Sequence, residues 1–142
     1  MPADETIIGL ELNLPHIVAE VTQVFDRYEQ ALLDNDVEVL DELFWHDPAT
    51  VRFGIDEELF GFEAISAYRR TQAQATPIRT LRNTMIRTYG EHLATADTEF
   101  VPRDFAVLGR QSQTWARTTN GWRVVSAHVS WHSGIRPGQS PT

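Results

Sequence analysis

The stretch that decides the fold is Phe44–Arg70, FWHDPATVRFGIDEELFGFEAISAYRR. It opens on two bulky apolar residues and a His46-Asp47-Pro48 triplet, a turn in which Asp47 is expected to cap backbone amides. The alternating run over residues 49–53 predicts a short strand with Arg52 in its middle. A lone arginine inside a short apolar strand, with turn residues on both sides, indicates a pocket as well as a core.

Helical patterns surround this strand. Apolar residues recur at helical spacing from Leu14 to Leu32, with Asn13 as the candidate cap and Pro15 in the first turn. Two shorter helices are predicted over residues 37–44 and 62–74. The rest of the sequence is extended in character, so all the predicted helices come before the long strands, with only the short strand over residues 49–53 between the second and third helices.

Four long strands follow the Thr76-Pro77 break, and they are rich in threonine, valine and aromatic residues. Their predicted spans are 78–89, 92–101, 105–118 and 122–132. Asn120-Gly121 is a strong signal for a two-residue hairpin between the last two. The order predicts an α+β fold, in which a strongly curved, mainly antiparallel sheet is covered on one face by three N-terminal helices.

The chain has 142 residues, which is enough for one domain with its own core. We predict a loose N-terminal lead-in over residues 1–12, a single domain over 13–133 and a disordered tail over 134–142, which is rich in Pro, Gly and Ser.

The net charge and the composition of the chain limit the partners and the kinds of chemistry that we expect. The formal net charge is −8, which argues against nucleic acid and anionic membranes as partners. No apolar run reaches the ~18 residues of a membrane span and no secretory start is seen, so we predict a cytoplasmic protein. There is no cysteine, and all 12 basic residues are arginines. Thiol chemistry and lysine chemistry are therefore excluded, and a fixed positive charge must come from a guanidinium.

The sequence gives little support for a metal site or for a catalytic serine. His46, Asp47, His128 and His132 could supply ligands, but the sequence holds no HExxH or other compact ligand motif. It also lacks a G-x-S-x-G elbow and a phosphate-binding glycine loop. We predict no metal and no cofactor.

Six polar residues stand out because each comes from an otherwise apolar element. They are Tyr28, Arg52, Arg69, Asn83, Gln113 and His128. Each has an ordinary alternative. Tyr28 could be a core tyrosine bonded to a carbonyl, Arg69 could extend to solvent at a helix end, and Arg52 could form a surface ion pair.

Alternation in the last strand predicts a subunit contact. Trp122, Val124, Ser126, His128 and Ser130 would share one face, and Val125, Ala127, Val129 and Trp131 the other. Because the helices can cover only one of two apolar faces, we expect a homodimer through the second face of the sheet.

Several separate motifs resemble one family. The order of elements and the closing GWRVVSAHVS resemble the SnoaL-like (nuclear-transport-factor-2-like) superfamily, whose members have a cone-shaped fold with a cavity at the open end. Further motifs resemble its AtzH/HpxZ-like branch, namely FWHDPATVRFG, LRNTMIRTYG, ATADTEF, GRQSQTW and GWRVVSAHVS. The resemblance covers about residues 12–133.

This resemblance implies an activity and two residues that carry it. The branch includes a decarboxylating amidohydrolase of cyanuric acid catabolism, which converts 1,3-dicarboxyurea to allophanate, and other members accompany oxalurate catabolism. The family's essential tyrosine matches Tyr28 and its essential arginine matches Arg52. Arg69, Asn83 and Gln113 would then bind the rest of the substrate, and His128 would relay a proton or make a structural hydrogen bond.

Two other functions stay open, because this superfamily hosts many chemistries. One is a non-catalytic ligand-binding or accessory protein of ureide catabolism. The other is a proton-transfer isomerase or dehydratase, which would need an inward-facing Asp or Glu as its base.

Overall fold

The computed structural model describes residues 5–72 and 76–138. Three helices precede most of the sheet: α1 (Pro15–Asp34), α2 (Val37–Leu43) and α3 (Phe62–Thr71). Six strands are formed by β1 (Val51–Phe53), β2 (Glu58–Phe60), β3 (Arg79–Tyr89), β4 (Leu93–Pro102), β5 (Gly109–Thr118) and β6 (Gly121–Trp131). A 3₁₀ turn, His132–Gly134, follows β6. The α+β class predicted from the sequence is confirmed.

The strands form one sheet in the order β2-β1-β6-β5-β4-β3. All neighbouring strands are antiparallel except β1 and β6, which run parallel. The apolar side of α1 packs on the inner face of this sheet and buries Ile17, Val21 and Phe25. Trp115 and Val124 meet them from β5 and β6, and both are fully buried. None of the described helices is long and apolar enough to cross a membrane.

Asn13 does not cap α1. Its φ is 55°, its side-chain oxygen accepts a hydrogen bond from the Thr88 amide at 3.0 Å, and its own amide donates to the Thr88 carbonyl at 2.9 Å. Leu12 also bridges Tyr89. The end of the predicted lead-in is therefore attached to the edge of β3, while Pro15 does begin the helix as expected.

Strand β2 is absent from the sequence-based prediction. Its three residues pair with β1 in an antiparallel hairpin, with Arg52 opposite Leu59. Gly61 follows with φ 91°, a backbone conformation that glycine adopts easily, and turns the chain into α3. The hairpin reverses the chain over residues 54–57 and so brings Glu57 back beside Arg52.

A β-bulge in β6 overturns the predicted alternation. Thr114 pairs with Ser126 and Trp115 with Val124, which leaves Val125 as an extra residue. Beyond the bulge the faces exchange, so that Ala127 joins Val124 on the buried side and His128 lies on the outer side.

The outer face is consequently not the apolar surface that was predicted. It carries the ion pairs Arg82–Glu99 and Arg87–Asp97 and a hydrogen bond from Ser112 to Asp97. Exposed apolar side chains such as Met85 occur there singly, which is normal for a protein surface. A homodimer through this face stays a prediction.

Candidate functional site

Two adjoining cavities lie between the helices and the inner face of the sheet. Their volumes are about 260 and 290 Å³. We call the first the apolar lobe and the second the polar lobe, after the side chains described below. Both lobes are lined by the same five residues, Tyr28, Leu32, Arg52, Thr76 and Pro77. The two residues singled out by the family resemblance therefore stand at the junction.

Arg52 is held in place by the β1–β2 hairpin. Its Nη1 donates to Glu57 Oε1 at 2.8 Å, and its guanidinium lies 5.9 Å from the centre of the Tyr68 ring. Its side chain is 22% exposed, so it is neither a surface arginine nor sealed in the core. The other Arg52 nitrogens can face the cavity, and a planar guanidinium pairs well with a carboxylate.

Tyr68 is the second phenol in the polar lobe. Burial, and after it the neighbouring Glu57 carboxylate, raises the pKa of Tyr68 above its ordinary value. Tyr68 is therefore a neutral hydrogen-bond donor at physiological pH, and it stabilises the Glu57 carboxylate.

Arg69 lies on the buried side of α3, as its helical position predicted, and lines the polar lobe. Its Nη1 donates to Asp41 at 3.0 Å and its guanidinium sits 4.5 Å from the centre of the Phe44 ring. Burial lowers the pKa of Arg69, while Tyr28 and Asp41 act in the opposite direction. A guanidinium remains charged at such a site.

Tyr28 projects from α1 into the junction of the lobes. Its ring lies 5.9 Å from that of Phe44 and 6.3 Å from that of Trp115, so the ring is fixed by aromatic packing. The residue is only 4% exposed, and no described residue forms a hydrogen bond with its hydroxyl. This hydroxyl is thus not the satisfied core group of the alternative interpretation.

The apolar lobe is formed mainly by the ends of β4, β5 and β6. Phe100 and Trp131 make an edge-to-face pair at 5.4 Å, and the exposed Phe105 lies at the rim. Gly109 makes this wall possible, because an added Cβ there would come within 2.1 Å of the Phe100 ring. Ile55 and Pro137 complete the apolar lining, which places part of the predicted tail at the cavity. Residues 139–142 of that tail lie outside the described residues.

Two glutamines on β5 line the apolar lobe with their amide orientation fixed. Gln111 Oε1 accepts from Arg79 at 3.0 Å, and Gln113 Oε1 accepts from the Trp115 indole at 3.0 Å. Arg and Trp only donate, so each glutamine must turn its oxygen towards them and its NH₂ group away. Both NH₂ groups are buried and have no partner among the described residues.

The structure brings five of the six predicted site residues to the cavities: Tyr28, Arg52, Arg69 and Gln113 line the interior, and His128 lies at the rim. Asn83 does not reach them. It sits at the β-bulge of β3 with φ 52°, is exposed, and donates to Glu99 at 2.5 Å on the outer face. Asn83 therefore lies outside both cavities, which does not agree with its predicted role in substrate binding.

His128 touches the site only from the side. It contributes to the rim of the apolar lobe, but it is exposed and its ring packs edge-on against Phe53 at 5.7 Å. Its neighbour Ala127 is the residue that faces the interior. The bulge at Val125 is the reason, and it removes the geometric basis for a proton relay through His128.

The lining residues that the sequence analysis did not predict as site residues include Glu57, Tyr68, Arg79 and Gln111. Arg79 makes a two-pronged pair with Glu29 at 2.7 and 2.8 Å, across 50 positions of sequence. No local pattern signals such a pair. Gln111 was detectable, since it alternates with Gln113 on one strand face.

The histidines considered for metal binding are not brought together. His46 stacks on Phe62 at 3.8 Å and bonds the Asp41 carbonyl at 2.8 Å, and Asp47 accepts from the Ala49 amide as the turn predicted. Within residues 5–72 and 76–138 no three His, Asp or Glu side chains form a group that could hold a metal ion.

A comparison with models of protein families shows to which family the chain belongs. The model of the AtzH-like family matches residues 10–134. The chain belongs to the AtzH-like family. A comparison with curated proteins found no similar sequence.

Two solved structures are closely similar to this AtzH-like chain. A protein of unknown function from Pectobacterium atrosepticum is 51% identical, with a TM-score of 0.83, and the match covers 85% of this chain and 94% of that one. A cystatin-like fold protein from Burkholderia xenovorans is 48% identical, with a TM-score of 0.82 over 87% and 97% of the two chains.

The fold extends beyond the family. An NTF2-like protein of unknown function from Pseudomonas putida is 20% identical, with a TM-score of 0.72 over 94% of this chain and 100% of that one. The predicted nuclear-transport-factor-2-like fold is therefore confirmed, and its cone-shaped architecture places the cavities described above.

Proposed function

We propose that this AtzH-like protein is a small amidohydrolase that acts on an N-carboxylated urea or related ureide acid and releases CO₂. One observation carries the proposal: the unpaired Tyr28 hydroxyl and the Arg52 guanidinium line both lobes at their junction. The site thus combines a buried proton donor with a permanent positive charge, which suits an anionic substrate that must gain a proton.

The reaction assigns one task to each residue. In 1,3-dicarboxyurea a terminal carboxylate is bonded to a urea nitrogen. The C–N bond breaks, its electron pair stays on nitrogen, nitrogen takes a proton, and the carboxyl group leaves as CO₂. Tyr28 supplies the proton and recovers one from water, and the hydroxide left behind combines with the released CO₂ to form bicarbonate, so the net reaction is a hydrolysis. Arg52 holds a substrate carboxylate. Arg69 adds positive charge to the polar lobe, although Asp41 already engages one of its nitrogens.

The test is incubation of the purified protein with freshly prepared 1,3-dicarboxyurea, with CO₂ and allophanate measured against the uncatalysed reaction. We expect turnover by the native protein and its loss in Arg52→Ala, because the substrate carboxylate then has no partner at the junction. Specific binding of ureide acids without any turnover would contradict the proposal and favour a non-catalytic accessory protein.

Glu57 favours one second candidate, a proton-transfer isomerase or dehydratase. It is an inward-facing carboxylate in the polar lobe, which is what such a reaction needs as its base. Against this function, Glu57 is already paired with Arg52 at 2.8 Å and next to Tyr68. We therefore assign Glu57 the role of positioning Arg52.

The Glu57→Gln variant distinguishes two roles of Glu57, which either positions Arg52 or acts as a base. The amide oxygen can still accept the Arg52 hydrogen bond, so we expect turnover of 1,3-dicarboxyurea to fall by less than about tenfold. A base lost at this position would instead lower the rate by about 10²–10⁴-fold. Steady-state kinetics on both proteins measure the difference, and a loss in the higher range would reassign Glu57 as the base.

A further inference from the structure

The two lobes do not suit the same kind of chemical group. The polar lobe presents Arg69, Glu57 and Tyr68. The apolar lobe presents Phe100, Trp131 and other apolar side chains. Each lobe alone is near the lower end of the ~300–1,000 Å³ range of ligand pockets. A dicarboxylated urea is short and polar along its whole length, so it has no part that matches the apolar wall.

We infer that the apolar lobe is a second subsite, which takes an apolar ring-sized or branched substituent of the ureide acid. This inference rests on the proposed function, since it uses Arg52 at the junction to hold the acid group. The substrate class is then an apolar-substituted ureide acid, with its acid and urea groups at the junction and its substituent between Phe100, Trp131 and Val129.

The unpartnered glutamine amides further define the substituent. Gln111 and Gln113 are 7% and 2% exposed, and their NH₂ groups point away from Arg79 and Trp115. A buried donor without a partner is destabilising, so an acceptor atom that reaches it gains affinity. The subsite therefore favours an apolar group that carries a hydrogen-bond acceptor, such as a carbonyl oxygen.

The wall is rigid enough to select a shape. The Phe100 ring packs against Trp131 on one side and against the Arg79 guanidinium at 4.3 Å, and it occupies the space that a side chain on Gly109 would otherwise fill. Arg79 is itself held by two hydrogen bonds to Glu29. A preformed apolar surface costs the ligand less to bind than one that must be ordered first.

The test compares two ligands that differ only in the substituent. N-carbamoylglycine and N-carbamoylphenylalanine share the urea and acid groups, and their dissociation constants are measured by titration calorimetry. We expect the phenylalanine compound to bind at least about tenfold more tightly, because its ring leaves water for the apolar lobe. Equal dissociation constants would overturn the inference.

A cavity-filling variant tests the location. Val129 lines the apolar lobe and not the polar lobe, so Val129→Phe should abolish the preference for the phenylalanine compound over N-carbamoylglycine. An unchanged preference would overturn the inference.

If Val129→Phe does not fold, the preference is compared between Phe105→Ala and Phe60→Ala. Both residues are exposed, but only Phe105 lines the apolar lobe. The preference should fall in the first and persist in the second.

Failure of the proposed function is distinguishable from failure of the subsite. If neither acid binds, benzamide and toluene are used as probes without an acid group, with binding followed by ligand-observed NMR. If benzamide binds more tightly than toluene, and if this binding is lost in Val129→Phe, the subsite is supported although the acids do not bind. If neither probe binds, the subsite is overturned as well. Equal binding of the two probes would overturn the role of the glutamine amides.

Discussion

The Tyr28→Phe variant is expected to lose at least about 100-fold of its turnover of 1,3-dicarboxyurea, because a proton donor contributes about 10²–10⁴-fold to such a step. The substitution removes one oxygen atom and keeps the ring between Phe44 and Trp115. No described residue forms a hydrogen bond with the hydroxyl, so the variant should unfold at the same denaturant concentration as the native protein. The measurement is the initial rate of allophanate formation at saturating substrate.

Tyr68→Phe is the matched control. It removes a phenol oxygen from the same lobe, but from a tyrosine that stands beside Glu57 rather than at the junction. We expect a rate within about tenfold of the native protein, since only one hydrogen bond near Arg52 is affected. A larger loss in Tyr68→Phe than in Tyr28→Phe would transfer the proton-donor role to Tyr68.

The Asp41→Ala variant is expected to lose about 3–5 kcal/mol of stability, the usual effect of leaving a buried charge without its partner. Asp41 accepts hydrogen bonds from Ser66 at 2.7 Å, Arg69 at 3.0 Å and Arg70 at 2.7 Å. Arg69 is 8% exposed and stays charged, so water cannot replace the lost carboxylate. Equilibrium unfolding in urea measures the change.

Arg70→Ala provides the comparison, because its guanidinium bonds the same carboxylate. The Arg70 side chain is 61% exposed, whereas that of Arg69 is 9% exposed. We expect a loss below about 1 kcal/mol for the exposed arginine. Equal losses in Asp41→Ala and Arg70→Ala would show that the burial of Arg69 is not what makes the Asp41 cluster important.

Much of the site was predictable because it depends on local periodicity. The helical spacing of α1 turns Tyr28 inward with Ile17, Val21 and Phe25, and the same rule places Arg69 on the buried side of α3. Strand alternation places Gln113 beside Trp115. In each case the side chain belongs to a regular element, and its direction follows from its position alone.

Asn83 and His128 are two residues whose direction could not be predicted from regular strand alternation. Each lies in or after a β-bulge, and an extra residue in a strand exchanges the two faces for every residue that follows. The sequence does carry a local signal of the second bulge: the apolar positions shift from even numbers to odd numbers at the adjacent residues Val124 and Val125. The prediction interpreted this shift as two apolar faces instead of a bulge. The predicted dimer through the second face rested on the same assumption of unbroken alternation in β6, and the dimer itself stays a prediction.

The sequence by itself determined the α+β order of elements and the inward direction of Tyr28 and Arg69. Its motifs also resembled the family to which the chain belongs, and only that resemblance placed Arg52 in the site. Only the tertiary structure decided which groups those side chains meet. Glu57 reaches Arg52 through a hairpin that has no strong signal, and Glu29 reaches Arg79 across 50 positions. Periodicity fixes the side of an element on which a residue lies, whereas ion pairs and cavities depend on how separate elements pack together.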